Sequence, residues 1–129
     1  MAGIDNALGI SPQVLAIRAQ RMNLLSANIA NADTPNYKAQ DVDFASAMRT
    51  ATNAREPMTA RHERHFAIGN EAAAANVQYR SPDQLSLNGN TVEPHKEHAA
   101  FMDNAMRYQV SLNLLDSRIK GLRAAIRGE

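Results

Sequence analysis

S-A-N-I-A-N-A-D-T-P-N-Y-K, residues Ser26 to Lys38, starts as the last turns of an amphipathic helix and finishes as a turn that no helix can pass through. Pro35 has no backbone N–H and drives Thr34 out of the α region, so the helix running through Ile29 has to stop within a residue or two of Asp33. Asn28, Asn31, Asp33 and Thr34 crowd that end, and all four side chains are suited to bond the backbone groups that a helix terminus leaves unpaired. Asn is a mediocre helix former, and two of them in one helix end read as polar locks at a packed interface. Asn36 follows the proline and precedes Tyr37. Asn is the non-glycine residue best able to take a left-handed conformation.

Upstream, Ser11-Pro12 marks a helix start, with Ser as N-cap and Pro at the first helical position. The helix is expected over Ser11 to Asn31. Leu8, Leu15, Met22 and Ile29 fall at heptad spacing, and Leu25 joins them three past Met22, with Arg18 interrupting the row. Val14, Ile17 and Leu24 form a second apolar strip. A helix with more than one buried side belongs inside a bundle or an assembly.

Downstream, Asp43 is placed to cap a short helix over Phe44 to Ala51. From Thr52 to Asn90 periodicity fades. His65 to Ile68 reads as a short strand, Glu71 to Asn76 as a short helix and Val77 to Arg80 as an extended piece, while Asn88-Gly89 is a strong turn signal. A middle so weakly patterned is expected to be flexible when isolated.

The last helix, roughly Lys96 to Ile126, carries the clearest pattern. Phe101, Ala105, Tyr108, Leu112, Leu115, Ile119, Leu122 and Ile126 alternate in steps of four and three, an unbroken a/d heptad seam. Asn104, Gln109, Asp116, Arg118, Lys120 and Arg123 are read onto other faces, and Met102, Met106, Val110 and Leu114 widen the apolar surface. Antiparallel packing of Leu15, Met22, Leu25 and Ile29 against this seam, near the +20° of heptad packing, leaves apolar strips over for other subunits. The fold class expected is mainly α, with long N- and C-terminal helices paired as an antiparallel coiled-coil-like bundle around an irregular middle. The boundaries are 1–34 and 96–129 for the two core helices and 35–95 for the turn, short helix and middle.

Composition narrows the function classes. A net charge of +1 biases the chain toward neither nucleic acid nor acidic substrates. With no Cys, disulfides and thiolate metal sites are excluded. Aromatics at 5% and abundant Ala suit long, closely packed helices better than a thick globular core. The N-terminus has no basic n-region and carries Asp5, and no run approaches the ~20 apolar residues of a bilayer span. Neither a cleaved signal peptide nor a membrane span is expected.

The stretch from Ala27 to Lys38, A-N-I-A-N-A-D-T-P-N-Y-K, resembles the N-terminal signature of the bacterial flagellar rod, hook and hook-associated axial proteins. Those proteins usually carry Gly between the proline and the aromatic residue, where this chain has Asn36, so the resemblance implies a type II-like turn with positive φ at Asn36. Tyr79-Arg80-Ser81-Pro82-Asp83, Asn88 to Val92 and the Ala-Phe-Met-Asp-Asn-Ala-Met-Arg-Tyr-Gln run at 100–109 look like the proximal-rod branch of that family. Pro94-His95 departs from the apolar and acidic residues expected there. The resemblance implies a structural subunit whose terminal helices build the inner tube of the rod, exported through the flagellum's own secretion channel into the periplasmic basal body. It implies as partners copies of the chain, other flagellar rod proteins, the MS-ring with its rod adaptor protein, and the export apparatus.

Chemistry is sparse. His62 and His65, and again His95 and His98, stand three apart, but neither pair meets the H-E-x-x-H spacing, and ordinary surface histidines are the favoured reading. No phosphate loop, G-x-S-x-G or Cys–His pair occurs, so no catalytic, cofactor or metal site is expected. Met22, Met48, Met102 and Met106 read as adaptable helix core. Arg18, Arg21, Arg118, Lys120, Arg123 and Arg127 lack interleaved aromatics and read as solvated or inter-subunit faces rather than a nucleic-acid surface. The competing function is a small cytoplasmic helical binding module such as a secretion chaperone or adaptor, which should be folded when dilute, whereas a rod subunit should gain helix on assembly.

Overall fold

Gly9 adopts a φ of 65° and turns the chain just ahead of the first long helix, so helical bonding begins at Ile10, whose carbonyl accepts from the Val14 N–H at 3.1 Å. The computed structural model describes residues 7–53 and 77–128. Helix α1 is Ser11–Ala30. Ser11 is therefore its first residue and not the expected N-cap, and no side chain caps this end. Pro12 still lies in the first turn, where a missing N–H costs nothing.

After the turn the chain forms strand β1, Gln40–Val42, and then helix α2, Phe44–Asn53. The cap expected at Asp43 is present: its Oδ1 accepts from the N–H groups of Ala45 at 3.1 Å and Ser46 at 3.2 Å. Strand β2, Val77–Tyr79, lies in the extended piece read from the sequence. It pairs antiparallel with β1 in the register Gln40 to Tyr79, Asp41 to Gln78 and Val42 to Val77. The β1 strand was not expected. Three residues carry no period that reveals a strand, and only the partner supplies the ladder. The expected strand at His65 to Ile68 and helix at Glu71 to Asn76 lie outside the described residues.

Helix α3, Pro94–Arg127, begins two residues before the expected start, because Pro94 is accepted at the first helical position behind Glu93. It ends at Gly128, whose φ of 77° lets its N–H return to the Ala124 carbonyl at 3.0 Å. With 20 residues α1 is about 30 Å long, and with 34 residues α3 is about 51 Å.

The two long helices pack side by side and antiparallel, as the heptads indicated. Asn28 meets Glu97, Arg18 meets Asn104, and Gly9 lies under the Arg118 guanidinium, so α1 runs down as α3 runs up. Among the described residues, the buried apolar side chains are Leu25, Ala39, Val42 and Ala47. This small core sits where the ribbon and α2 close against α1.

Candidate functional site

The signature stretch folds as its residues dictate. The Asn31 amide donates to the Ala27 carbonyl at 2.8 Å, and its Oδ1 accepts from the Thr34 hydroxyl at 3.2 Å, which closes the helix end locally. Asn36 has a φ of 60°, the one positive value among non-glycine described residues, and the Tyr37 N–H reaches back to the Thr34 carbonyl at 3.3 Å. That is the expected type II geometry across Thr34, Pro35, Asn36 and Tyr37. Asp33, Thr34, Pro35 and Asn36 are exposed, and Ile29 is half-buried on the helix.

Asn28 alone among the signature side chains is fully buried. Its Nδ2 donates to the Gln40 carbonyl at 2.7 Å and to Glu97 Oε2 at 3.1 Å. Its Oδ1 accepts from the Gln40 N–H at 3.1 Å and the Tyr37 hydroxyl at 3.4 Å. All four bonds tie parts of the chain distant from its own helical turn. Of the two expected polar locks, Asn28 therefore joins α1 to β1 and α3, and Asn31 holds only its own helix end.

Glu97 is also fully buried, and it accepts from Arg80 Nη1. Arg80 Nη2 bonds Asp41 Oδ2 at 2.5 Å, and Arg21 grips the same carboxylate with Nε at 2.8 Å and Nη2 at 3.0 Å. The chain Arg21, Asp41, Arg80, Glu97, Asn28 thus joins α1, β1, the residue that follows β2 and α3 in one polar network. Burial works against ionisation of Asp41, but hydrogen bonds from Arg21, Arg80 and the Val42 N–H outweigh it and hold the carboxyl below its ordinary range. The bond to Asp41 correspondingly raises the Arg21 pKa.

A second set of contacts supports the turn from outside. Asn90 is buried, and its Nδ2 lies 3.0, 2.7 and 2.9 Å from the carbonyls of Asn31, Ala32 and Thr34. They are carbonyls of the turn that follows α1, and those of Asn31 and Thr34 also accept from the N–H groups of Thr34 at 3.0 Å and Tyr37 at 3.3 Å. Thr91 Oγ1 accepts from the Ala39 N–H at 2.7 Å, and the Asn36 N–H donates to the Asn88 carbonyl at 2.9 Å.

The packed face of α3 differs from the one read off the apolar heptads. Phe101, Ala105, Tyr108 and Leu115 are half-buried, but Leu112 is exposed, and Glu97, Asn104 and Ser111 lie on the covered side with them. Asn104, assigned by the sequence to another face, is fully buried and donates to the Arg18 carbonyl at 2.9 Å. Residues 97, 101, 104, 108, 111 and 115 also step by four and three. Polar residues hid this seam from an apolar count. Arg18, the break in the first row, covers the Phe44 ring at 4.5 Å, and its pKa is lowered by burial first and then by Arg107 and Arg21.

On α1 the interface residue Leu25 is fully buried, and Leu15, Met22 and Ile29 are half-buried. Beyond Arg118, opposite Gly9, α3 continues for nine residues with Ile119 and Leu122 each 37% and Ile126 86% exposed. Met102, Met106, Val110 and Leu114 form an exposed ridge at spacings of four on the opposite side. His95 and His98 are exposed at the start of α3, and His62 and His65 lie outside the described residues. No described helix is long and apolar enough to cross a membrane.

Residues 15–38 match the family model described as flagella basal body rod protein. The chain is 47% identical over 129 residues to the flagellar basal body rod protein FlgB of Cereibacter sphaeroides, with both chains covered in full. It is 41% identical to the FlgB of Salmonella typhimurium, over 97% of this chain and 96% of that one. With the Escherichia coli FlgB the identity is 44%, over 92% of this chain and 91% of the relative.

Proposed function

The chain belongs to the flagellar basal body rod protein family, and from that premise we propose that it is a proximal-rod subunit that joins its neighbours through the apolar surface α3 leaves uncovered. The core helices α1 and α3 then line the tube, and the turn and strands between them stand outside, held to them by the Asn28 and Asp41 network. Partners are further copies of the chain, other rod proteins, and the MS-ring with its rod adaptor. The subunit reaches the periplasm through the flagellar export apparatus. Relatives named as rod proteins across nearly their full length leave the chaperone or adaptor reading without support.

The observation that carries this reading is the distal third of α3. Ile119, Leu122 and Ile126 continue a heptad row past Arg118, which lies opposite Gly9 just ahead of α1, and Ile126 is 86% exposed. The double variant Leu122→Asp with Ile126→Asp tests it. The helical circular dichroism of the dilute subunit should not change, while cells carrying the variant should lack rods and fail to swim. Normal motility would overturn the reading.

A further inference from the structure

The turn that supports Asn36 is built on the pair Asn88-Gly89, and its geometry bears on covalent chemistry. Asn88 is exposed, and the residue after it has no Cβ to hinder approach to the Asn88 side chain. Two donors converge on Asn88 Oδ1: the Ser86 hydroxyl at 2.6 Å and the Asn90 N–H at 3.1 Å. A carbonyl oxygen held by two donors is stabilised as negative charge develops on it, as in an oxyanion hole.

We propose that Asn88 is a site of spontaneous deamidation, in which Ser86 and the Asn90 amide assist. The Gly89 nitrogen gives its proton to hydroxide, which leaves as water, and bonds to Asn88 Cγ, placing the charge on Oδ1. Collapse of that adduct breaks the Cγ–Nδ2 bond, and Nδ2 departs as ammonia with a proton taken from water. Water then opens the five-membered imide at either carbonyl, giving aspartate or isoaspartate. No oxidant or other co-reactant is needed. The Gly89 N–H donates to the Ser86 carbonyl at 3.1 Å, so each event waits for that bond to open.

The product lies at a sensitive place. The Asn88 carbonyl holds the Asn36 N–H, and Gly89 is packed so closely on Asn36 that an added Cβ would stand 2.5 Å from Asn36 Oδ1. Isoaspartate lengthens the backbone by one carbon at this contact. The modification therefore loosens the brace on the signature turn as the protein ages.

The test incubates the full chain in mildly alkaline buffer for several weeks and follows the tryptic peptide Ser81 to Lys96 by mass spectrometry, with Asn90 in the same peptide as internal control. Asn88 should convert to a mixture of aspartate and isoaspartate many-fold faster than Asn90. The Ser86→Ala variant should convert several-fold more slowly than the unaltered chain. An Asn88 that stays an amide while a short synthetic peptide of the same sequence deamidates would overturn the proposal. Equal rates with and without the Ser86 hydroxyl would overturn its assisting role.

Discussion

The Asn28 carboxamide and the Glu97 carboxylate, 69 residues apart in the chain, meet at 3.1 Å with both side chains fully buried. This pair locks α1 to α3 at the end where the middle region leaves the helices. Removing either partner costs the other one of its hydrogen bonds in a buried site. Asn28→Ala leaves Glu97 short of a donor and the Gln40 N–H and carbonyl without partners, at an expected cost of about 2–4 kcal/mol. Urea denaturation of the folded subunit measures this. Asn28→Asp should cost more, because it sets a second carboxylate beside Glu97.

The brace between Asn36 and Gly89 predicts a non-additive pair. Gly89→Ala places a methyl group against Asn36 Oδ1 at a φ of 74°, with a cost of about 1–2 kcal/mol from conformation before any clash. Asn36→Gly alone should be neutral or mildly stabilising. In the double variant the clash disappears and the conformational cost remains, so a double-mutant cycle should show favourable coupling of about 0.5 kcal/mol or more. Asn36→Val, with a β-branched side chain at φ 60°, should cost about 2 kcal/mol and impair swimming.

Acid should weaken the network at Asp41. Its folded-state pKa is depressed below the unfolded value, so its contribution is complete above about pH 4 and is lost as pH falls through the folded-state pKa. Arg21 stays charged throughout and adds no pH dependence of its own. The denaturation midpoint should therefore drop as pH falls below about 4, and drop less in Asp41→Asn, which should already be weaker at neutral pH.

The uncovered length of α3 predicts a contrast between free and assembled subunits. Amides beyond Arg118 should exchange rapidly in the dilute protein and slowly in isolated basal bodies, with helix content rising as subunits associate. Equal protection in both states would contradict burial on assembly.

Leu115→Asp probes the seam within the chain. Leu115 is half-buried on the shared side of the packed face, and a carboxylate there should cost about 2 kcal/mol or more. Loss of rods should accompany the lost stability.

Much of this architecture was legible in residue order. Pro35 forces the end of α1, the heptads of Leu15, Met22 and Ile29 and of Phe101, Tyr108 and Leu115 require two long helices that face each other, and Asn36 marks a left-handed turn. Each of these follows from local sterics or from a period longer than a turn, and both are written in neighbouring residues. What only the tertiary structure decided is where the polar groups go. β1 exists because Val77 to Tyr79 returns to pair with it, and Glu97, Asn104 and Asn90 are buried because donors and acceptors far away in sequence meet them there. Local patterns count apolar residues and therefore assigned Asn104 to another face. A buried polar side chain is stable only with its partners in place, and those partners are brought together by the closing of α1, the ribbon and α3 on one another.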